Sequence, residues 1–175
     1  MPNTFIASDT HLGHRLMERT RPWDTLEEHD EGIIDNWNKV VGSKDLVWHL
    51  GDVCMNRNKL HLAGRLNGRK KLILGNHDVH PIQMYLEHFE TIASYKVFEW
   101  AILTHIPIHV DQLNRFQRNI HGHLHGHVVT KEHSYVYAGQ DWTDTIYDDR
   151  YFCVAMENID YKPISMDEIR EKMNV

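Results

Sequence analysis

Three short apolar runs in the first half of the chain each end abruptly in acidic, amide or imidazole residues. Thr4–Ser8 runs into Asp9-Thr10-His11, Asp45–Leu50 into Gly51-Asp52, and Lys71–Leu74 into Gly75-Asn76-His77-Asp78. Runs of this length bounded by Gly, Asp and Asn read as buried strands. Between the first two lies Thr25–Val41. There Leu26, Ile33, Ile34, Trp37, Val40 and Val41 share one helical face, and Thr25 and Glu28 stand at capping-box spacing. Asn58–Leu66 and Pro81–Phe89 are expected to be further helices. Strands that alternate with helices in this way give an α/β domain, and in such sheets ligand sites lie beyond the carboxyl ends of the strands.

The second half reads differently. Ile92–Phe98, Trp100–Thr104, Asn119–His121, Ser134–Ala138 and Tyr151–Met156 are expected as strands. Ser165–Met173 is expected as a closing helix, with Ser165 and Glu168 at capping-box spacing. No repeat or low-complexity linker divides the chain, so residues 1–175 read as a single domain. There is no signal-peptide pattern and no apolar stretch of membrane-spanning length, which gives a cytoplasmic expectation. The two cysteines, Cys54 and Cys153, form no C-x-x-C pair and are expected as free thiols.

Composition matters at one point. The chain carries 15 histidines in 175 residues, several within two positions of each other or beside Asp, Asn and Gly. Clustered histidine next to carboxylate points to metal. Residues two apart in extended chain point to the same side, so Asp9 and His11 can grip one ion together. Asp52 offers two oxygens that can serve two ions. Asn76 supplies a neutral oxygen, and the adjacent His77-Asp78 pair resembles a general acid with its orienting partner. His105 follows a fourth strand. His123 and His125, in Gly122-His123-Leu124-His125-Gly126, again stand two apart. Imidazole and oxygen donors without thiolate suit manganese, iron, zinc, cobalt or nickel better than calcium or a magnesium-only cage, and manganese is the first expectation among them.

Each motif is weak alone; the order of all five is specific. Asp-x-His, Gly-Asp, Gly-Asn-His-Asp, His and Gly-His-x-His together resemble the calcineurin-like metallophosphoesterase superfamily. They span Asp9 to His125, and the chain looks most like its small, uncapped bacterial or phage-type members. The resemblance implies a four-layer α-β-β-α sandwich of two mixed sheets. It also implies two divalent ions: Asp9, His11 and His125 on one, Asn76, His105 and His123 on the other, and Asp52 between them. His77 would stand near the leaving group with Asp78 as its partner. Ions roughly 3.5–4 Å apart would activate a bridging hydroxide for attack on phosphorus.

The expected activity is hydrolysis of phosphate diesters, as cyclic nucleotides or small nucleotide diesters. The alternatives are a phosphomonoesterase or small nuclease and, more remotely, a non-catalytic metal-binding scaffold. The Asp-Arg-Gly that protein phosphatases carry after Gly-Asp is missing from Gly51–Arg57, which speaks against that branch. His14 and Arg21 have two readings, as substrate-phosphate contacts or as surface residues. Arg57, Lys59, Arg65, Arg69, Lys70 and Lys71 form the one basic cluster, read as a solvated face rather than a nucleic-acid track, in keeping with a net charge of -6. Gln140–Asp144 and Tyr147–Asp149 are expected as an acidic, aromatic loop.

Overall fold

The structure is a computed structural model that describes residues 2–175. Its elements, in chain order, begin with strand β1 (Thr4–Ala7), helix α1 (Met17–Thr20), helix α2 (Leu26–Val40), strand β2 (Leu46–His49) and strand β3 (Arg69–Ile73). Helix α3 (Ile82–Leu86) and strands β4 (Thr91–Ala93), β5 (Lys96–Val97) and β6 (Ile102–Leu103) follow. Helix α4 (Leu113–Phe116), strands β7 (Asn119–His121), β8 (Thr130–Tyr137), β9 (Gln140–Tyr147), β10 (Tyr151–Cys153) and β11 (Ile164–Ser165), and helix α5 (Met166–Lys172) complete the chain.

Two mixed sheets and a hairpin result. The first sheet has the order β11-β1-β2-β3-β4, with β1 to β4 parallel and β11 antiparallel to β1. The second has the order β10-β7-β6-β5, with β5 antiparallel to β6 and the rest parallel. The protein is therefore α/β, as its strand–helix alternation requires. The sheets are joined where Ser8 bridges Ala155 and donates its N–H to the Val154 carbonyl. One buried apolar cluster includes Ile6, Val47 and Leu72 of the first sheet and Leu103 and Ile120 of the second.

Helix α2 forms where its apolar period predicts. Thr25 and Glu28 close a reciprocal capping box at its start, a device worth about 1 kcal/mol. Trp37 is fully buried and ties its indole N–H to the Asn67 carbonyl at 3.0 Å. Helix α5 begins on Ser165, which accepts from the Glu168 N–H.

Several expectations need correction. Asn58–Leu66 is not an α-helix: Arg57–Arg65 is 3-10. The Pro81–Phe89 helix shrinks to Ile82–Leu86, because Pro81 serves as its N-cap. The single strand expected over Ile92–Phe98 is two strands in different sheets, because the chain leaves β3 after Ala93 and joins β6 at Lys96. The expected acidic loop at Gln140–Asp144 is the start of β9, which pairs with β8 over eight positions from Thr130↔Tyr147 to Tyr137↔Gln140. Strand alternation puts Tyr135, Tyr137, Trp142 and Ile146 on one exposed face of that hairpin.

The basic cluster is broken up by partners. Arg65 forks onto Glu31, Arg69 forks onto Glu90, and Lys70 turns inward to the Leu66 carbonyl. Both cysteines are buried free thiols, and burial pushes Cys54 up to about 12 and Cys153 up to about 11. Among the described residues no helix is long and apolar enough to cross a membrane.

His49, at the end of β2, is a fully buried imidazole that is neutral in the fold. Its Nδ1 accepts the Gly51 N–H at 3.1 Å, which leaves Nε2 to donate to Thr10 Oγ1 at 3.0 Å. Burial holds its pKa down at about 3, against 6.5 for the free group. Between those values the unfolded chain binds the extra proton and the folded chain does not. The stability this neutral imidazole lends is thus fully present above pH 6.5 and lost as pH falls toward 3. Urea midpoints of metal-stripped protein should fall from pH 7 to pH 4, and His49→Gln should show a shallower fall. An identical slope would remove His49 from the acid response.

Candidate metal centre

The site is built where strand ends from both sheets meet. Asp9 and His11 follow β1, Asp52 follows β2 and Asn76 follows β3. His105 follows β6, and His123 and His125 follow β7. Five of these seven residues, Asp9, His11, Asp52, His123 and His125, have φ between 48° and 70°. Left-handed backbone costs an L-residue of order 1 kcal/mol, and such outliers collect at functional sites. Here all five lie in the loops that directly follow β1, β2 and β7.

Backbone contacts lock the bent loops together. Asp9 N–H donates to Gly51 O at 2.9 Å, His11 N–H to Asp52 O at 3.0 Å and Leu12 N–H to Val53 O at 2.9 Å. The loops also interlock at glycines. A Cβ on Gly75 would stand 2.2 Å from Asp52 Oδ1 and 2.5 Å from the Asp52 backbone nitrogen. A Cβ on Gly122 would stand 2.0 Å from Ser8 Oγ and 2.4 Å from Asp9 Oδ2.

The side chains converge on two overlapping groups that could hold metal: Asp9 with His11 and His125, and Asp9 with Asp52 and His105. Asp52 Oδ2 lies between two imidazoles, 3.7 Å from His11 Nε2 and 3.5 Å from His105 Nε2. Asn76 Oδ1 sits 2.9 Å from both His105 Nε2 and His123 Nδ1. Asp9, not the expected Asp52, is the carboxylate common to both groups; Asp52 belongs only to the group with His105.

The donor chemistry fits divalent cations. Asp9 Oδ1 and both nitrogens of His11 are buried with no hydrogen-bond partner, an arrangement that native proteins rarely tolerate without a ligand. His105 Nδ1–H donates to Leu50 O at 2.8 Å, which leaves Nε2 as its lone-pair nitrogen facing the centre. His125 Nδ1–H donates to Glu157 Oε1 at 3.1 Å and its ring stacks on His11 at 5.1 Å, with the same consequence. Such partners fix the tautomer and orientation of metal-binding histidines.

Charge is tuned to match. Burial works to raise the pKa of Asp9, but His11, His105 and Ser8 outweigh it and hold the carboxylate ionised well below the usual range. Burial also opposes the ionisation of Asp52, and His105 beside it again lowers the pKa. For His105, burial disfavours the charge, but the adjacent Asp52 raises its pKa.

Two expected roles change. Asp78 does not orient the His77 ring. Its carboxylate accepts three backbone N–H groups, from Asp52 at 2.8 Å, Val53 at 2.9 Å and Gly75 at 2.9 Å, and so ties the second loop to the third. Arg21 does not reach outward to substrate. Its side chain is fully buried, donating to Asp9 O, Thr10 O and Glu157 and contacting His29. His77 donates its backbone N–H to Asp52 Oδ1, and its half-buried ring lies 5.8 Å from that of His11. His14 is half-buried at the same distance from His11 on another side. Sequence reasoning missed Glu157, His49 and the His29–Asp30 pair. None lies in a ligand motif, and only the fold brings them near.

Known proteins match from about three quarters to nearly all of this chain. It is 34% identical over 170 residues to the "Gene 66 protein" of Mycobacterium phage L5, covering 76% of this chain and 82% of that one. It is 33% identical over 175 residues to "Uncharacterized protein MJ1445" of Methanocaldococcus jannaschii, covering 97% and 90%. The chain belongs to the family of the phage Gene 66 protein and MJ1445. A second Gene 66 protein, from Mycobacterium phage D29, is 29% identical over 212 residues. The crystal structure of AQ665 from Aquifex aeolicus, titled a protein of unknown function, superposes on this Gene 66-family chain with a TM-score of 0.72. The two are 27% identical, covering 98% of this chain and 99% of that one. No protein-family model matches the chain.

The interlock makes a sharp prediction. Gly75→Ala must displace Asp52 or its own loop, because the obstructing atoms include backbone. Metal analysis should find the variant folded by circular dichroism but depleted of cation. Full metal content would show that the loops can part without loss of the site.

Proposed function

We propose that this chain is a dinuclear metal-dependent phosphoesterase that acts on small phosphate diesters, with the layering of a four-layer α-β-β-α sandwich. The observation that carries the reading is the set of unpaired buried donors, Asp9 Oδ1 and both His11 nitrogens, surrounded by Asp52, His105 and His125. In this reading Asp9, His11 and His125 hold one cation, Asn76, His105 and His123 hold the other, and Asp52 lies between. Manganese is the first choice, with iron, zinc, cobalt or nickel as alternatives. Bound there, two divalent ions would supply an activated water near neutral pH and neutralise charge on the phosphate oxygens.

The chain's own residues do the rest. Asp78 keeps the Asp52 and Asn76 loops in register through its three backbone acceptors. His77 carries its imidazole beside the centre while its N–H steadies Asp52. It is placed to hand a proton to the departing ester oxygen, which an alkoxide needs and a nitrophenolate does not. His14, with its ring 5.8 Å from that of His11, would donate to a phosphate oxygen in this reading.

Two cavities flank the cluster. One of about 370 Å³ is lined by Asn76, His105, Ser94, Thr104 and Ile106. The other, about 330 Å³, is lined by His125, Glu157, Leu16 and Met17. Room on both sides of the phosphate supports a diester with two modest arms, such as a small nucleotide diester. The net charge of -6 supports a small substrate rather than a long nucleic acid. The phage, archaeal and Aquifex relatives carry no activity in their names, so the reading rests on this chain's own residues.

Metal-stripped protein given Mn(II) should cleave bis(nitrophenyl) phosphate faster than nitrophenyl phosphate; turnover of neither would sink the proposal. Asp52→Asn should lower both metal content and rate by several orders of magnitude. His77→Ala should keep its metal and slow reaction roughly 10²–10⁴-fold. The loss should be larger on a cyclic nucleotide than on the nitrophenyl diester. Equal losses on the two substrates would leave His77 a phosphate-positioning group.

A further inference from the structure

We propose that Arg21 and Glu157 form a buried brace that positions the ligands of one cation, the one at Asp9, His11 and His125, and leaves the other cation's ligands unsupported by it. The inference rests on the two-cation reading above. The Arg21 side chain is 0% exposed. Its NH2 donates to the Asp9 carbonyl at 2.6 Å, its NH1 to the Thr10 carbonyl at 3.0 Å and its Nε to Glu157 Oε1 at 2.8 Å. That same Glu157 oxygen accepts His125 Nδ1–H at 3.1 Å. One guanidinium and one carboxylate therefore connect the loop after β1 to the loop after β7, two segments more than 100 positions apart in the chain.

The brace is itself held from behind. A guanidinium has only donors, so His29 Nε2 accepts from Arg21 NH1 at 3.0 Å. His29 Nδ1–H then donates to Asp30 Oδ1 at 3.0 Å, and the same Asp30 oxygen accepts the Gly13 N–H at 2.9 Å. Helix α2 thus grips the first ligand loop on both sides of His11. Burial would raise the Glu157 pKa, but His125 and Arg21 outweigh it and hold Glu157 at about 2, so the carboxylate stays charged. Its negative charge cancels the arginine's repulsion of a nearby cation. It also sets His125 to present Nε2, the arrangement in which a carboxylate behind a histidine fixes both tautomer and ring.

Arg21, Glu157, His29 and Asp30 make no hydrogen bond to Asn76, His105 or His123; the link between the two ligand sets is the Asp9 carboxylate, whose Oδ2 accepts the His123 N–H at 2.9 Å. His105 leans on the Leu50 carbonyl, and Asn76 and His123 on each other. A merely structural salt bridge would affect both cations alike through the fold. A brace would affect one.

The test titrates metal-stripped protein with Co(II), following the visible ligand-field absorption and the bound stoichiometry by equilibrium dialysis. Wild type, Glu157→Gln, Glu157→Ala, Arg21→Met and Arg21→Lys are compared, with His123→Ala as the marker for the other cation. Glu157→Gln keeps the side chain's size and an acceptor for His125, so a folded variant is in hand even where Glu157→Ala fails. In the Glu157 variants and Arg21→Met, one cobalt equivalent should weaken about tenfold to hundredfold while the other keeps its wild-type affinity. Arg21→Lys should restore little, since an ammonium cannot fork across two carbonyls and a carboxylate. The equivalent lost should be the one that His123→Ala retains. Equal weakening of both equivalents, or of neither, overturns the brace. A wild-type chain that takes up no cobalt overturns the metal reading along with it. Uptake of two equivalents without ester hydrolysis overturns only the proposed activity.

Discussion

The site depends on backbone that has been bent against its preference and then pinned. At Asp9, His11, Asp52, His123 and His125 the chain enters left-handed conformation, in the loops whose side chains converge at the sheet ends. Isolated, such turns would relax. They persist because the loops hydrogen-bond to one another through Gly51 O, Asp52 O and Val53 O, and because Asp78 gathers three N–H groups from two of them. Asp78 is half-buried, and its desolvation raises its pKa against the pull of those donors. The carboxylate that stands beside the proposed proton donor in sequence is in fact the pin of the loops.

A second consequence of this construction is that the first ligand loop is supported from two directions. From the sheet side it is paired with the loop after β2. From the helix side, Arg21, His29 and Asp30 reach it out of α2 and the segment before it. The strands therefore carry the chemistry-bearing residues in the loops just beyond their ends, while their packing supplies the reference frame. A site built this way buries unpaired nitrogen and oxygen atoms at Asp9 and His11, which costs free energy unless a ligand takes them up.

The hairpin β8–β9 follows the opposite principle. It leaves the His125 loop, runs eight residues out and eight back, and carries Tyr137 at 69% and Trp142 at 48% exposure. Its base is clamped by Lys131 with Asp148 and Asp149, and by Tyr147 donating to the Tyr151 carbonyl. Tyr135, Val136 and Tyr137 are aromatic or β-branched, so its first strand was legible. The returning strand was not, because Gln140, Asp141, Thr143 and Asp144 are polar residues of the kind that also fill loops.

The sequence by itself determined the α/β class, the capping of α2 and α5, the strands whose ends carry Asp9, Asp52, Asn76 and His105, and the candidate donors that meet there. These are local or periodic signals: apolar runs, cap spacing, and polar residues placed just beyond a strand. What the tertiary structure decided is every relation between segments distant in the chain. It split Ile92–Phe98 between two sheets, turned Arg21 inward, moved Asp78 from the His77 ring to three backbone donors, and brought Glu157 behind His125. None of these has a local signature. A buried arginine and a surface arginine read alike, and a carboxylate's partner is chosen by which loop the fold presents to it. Residue type and spacing fix what a side chain is able to do, and only packing fixes what it touches.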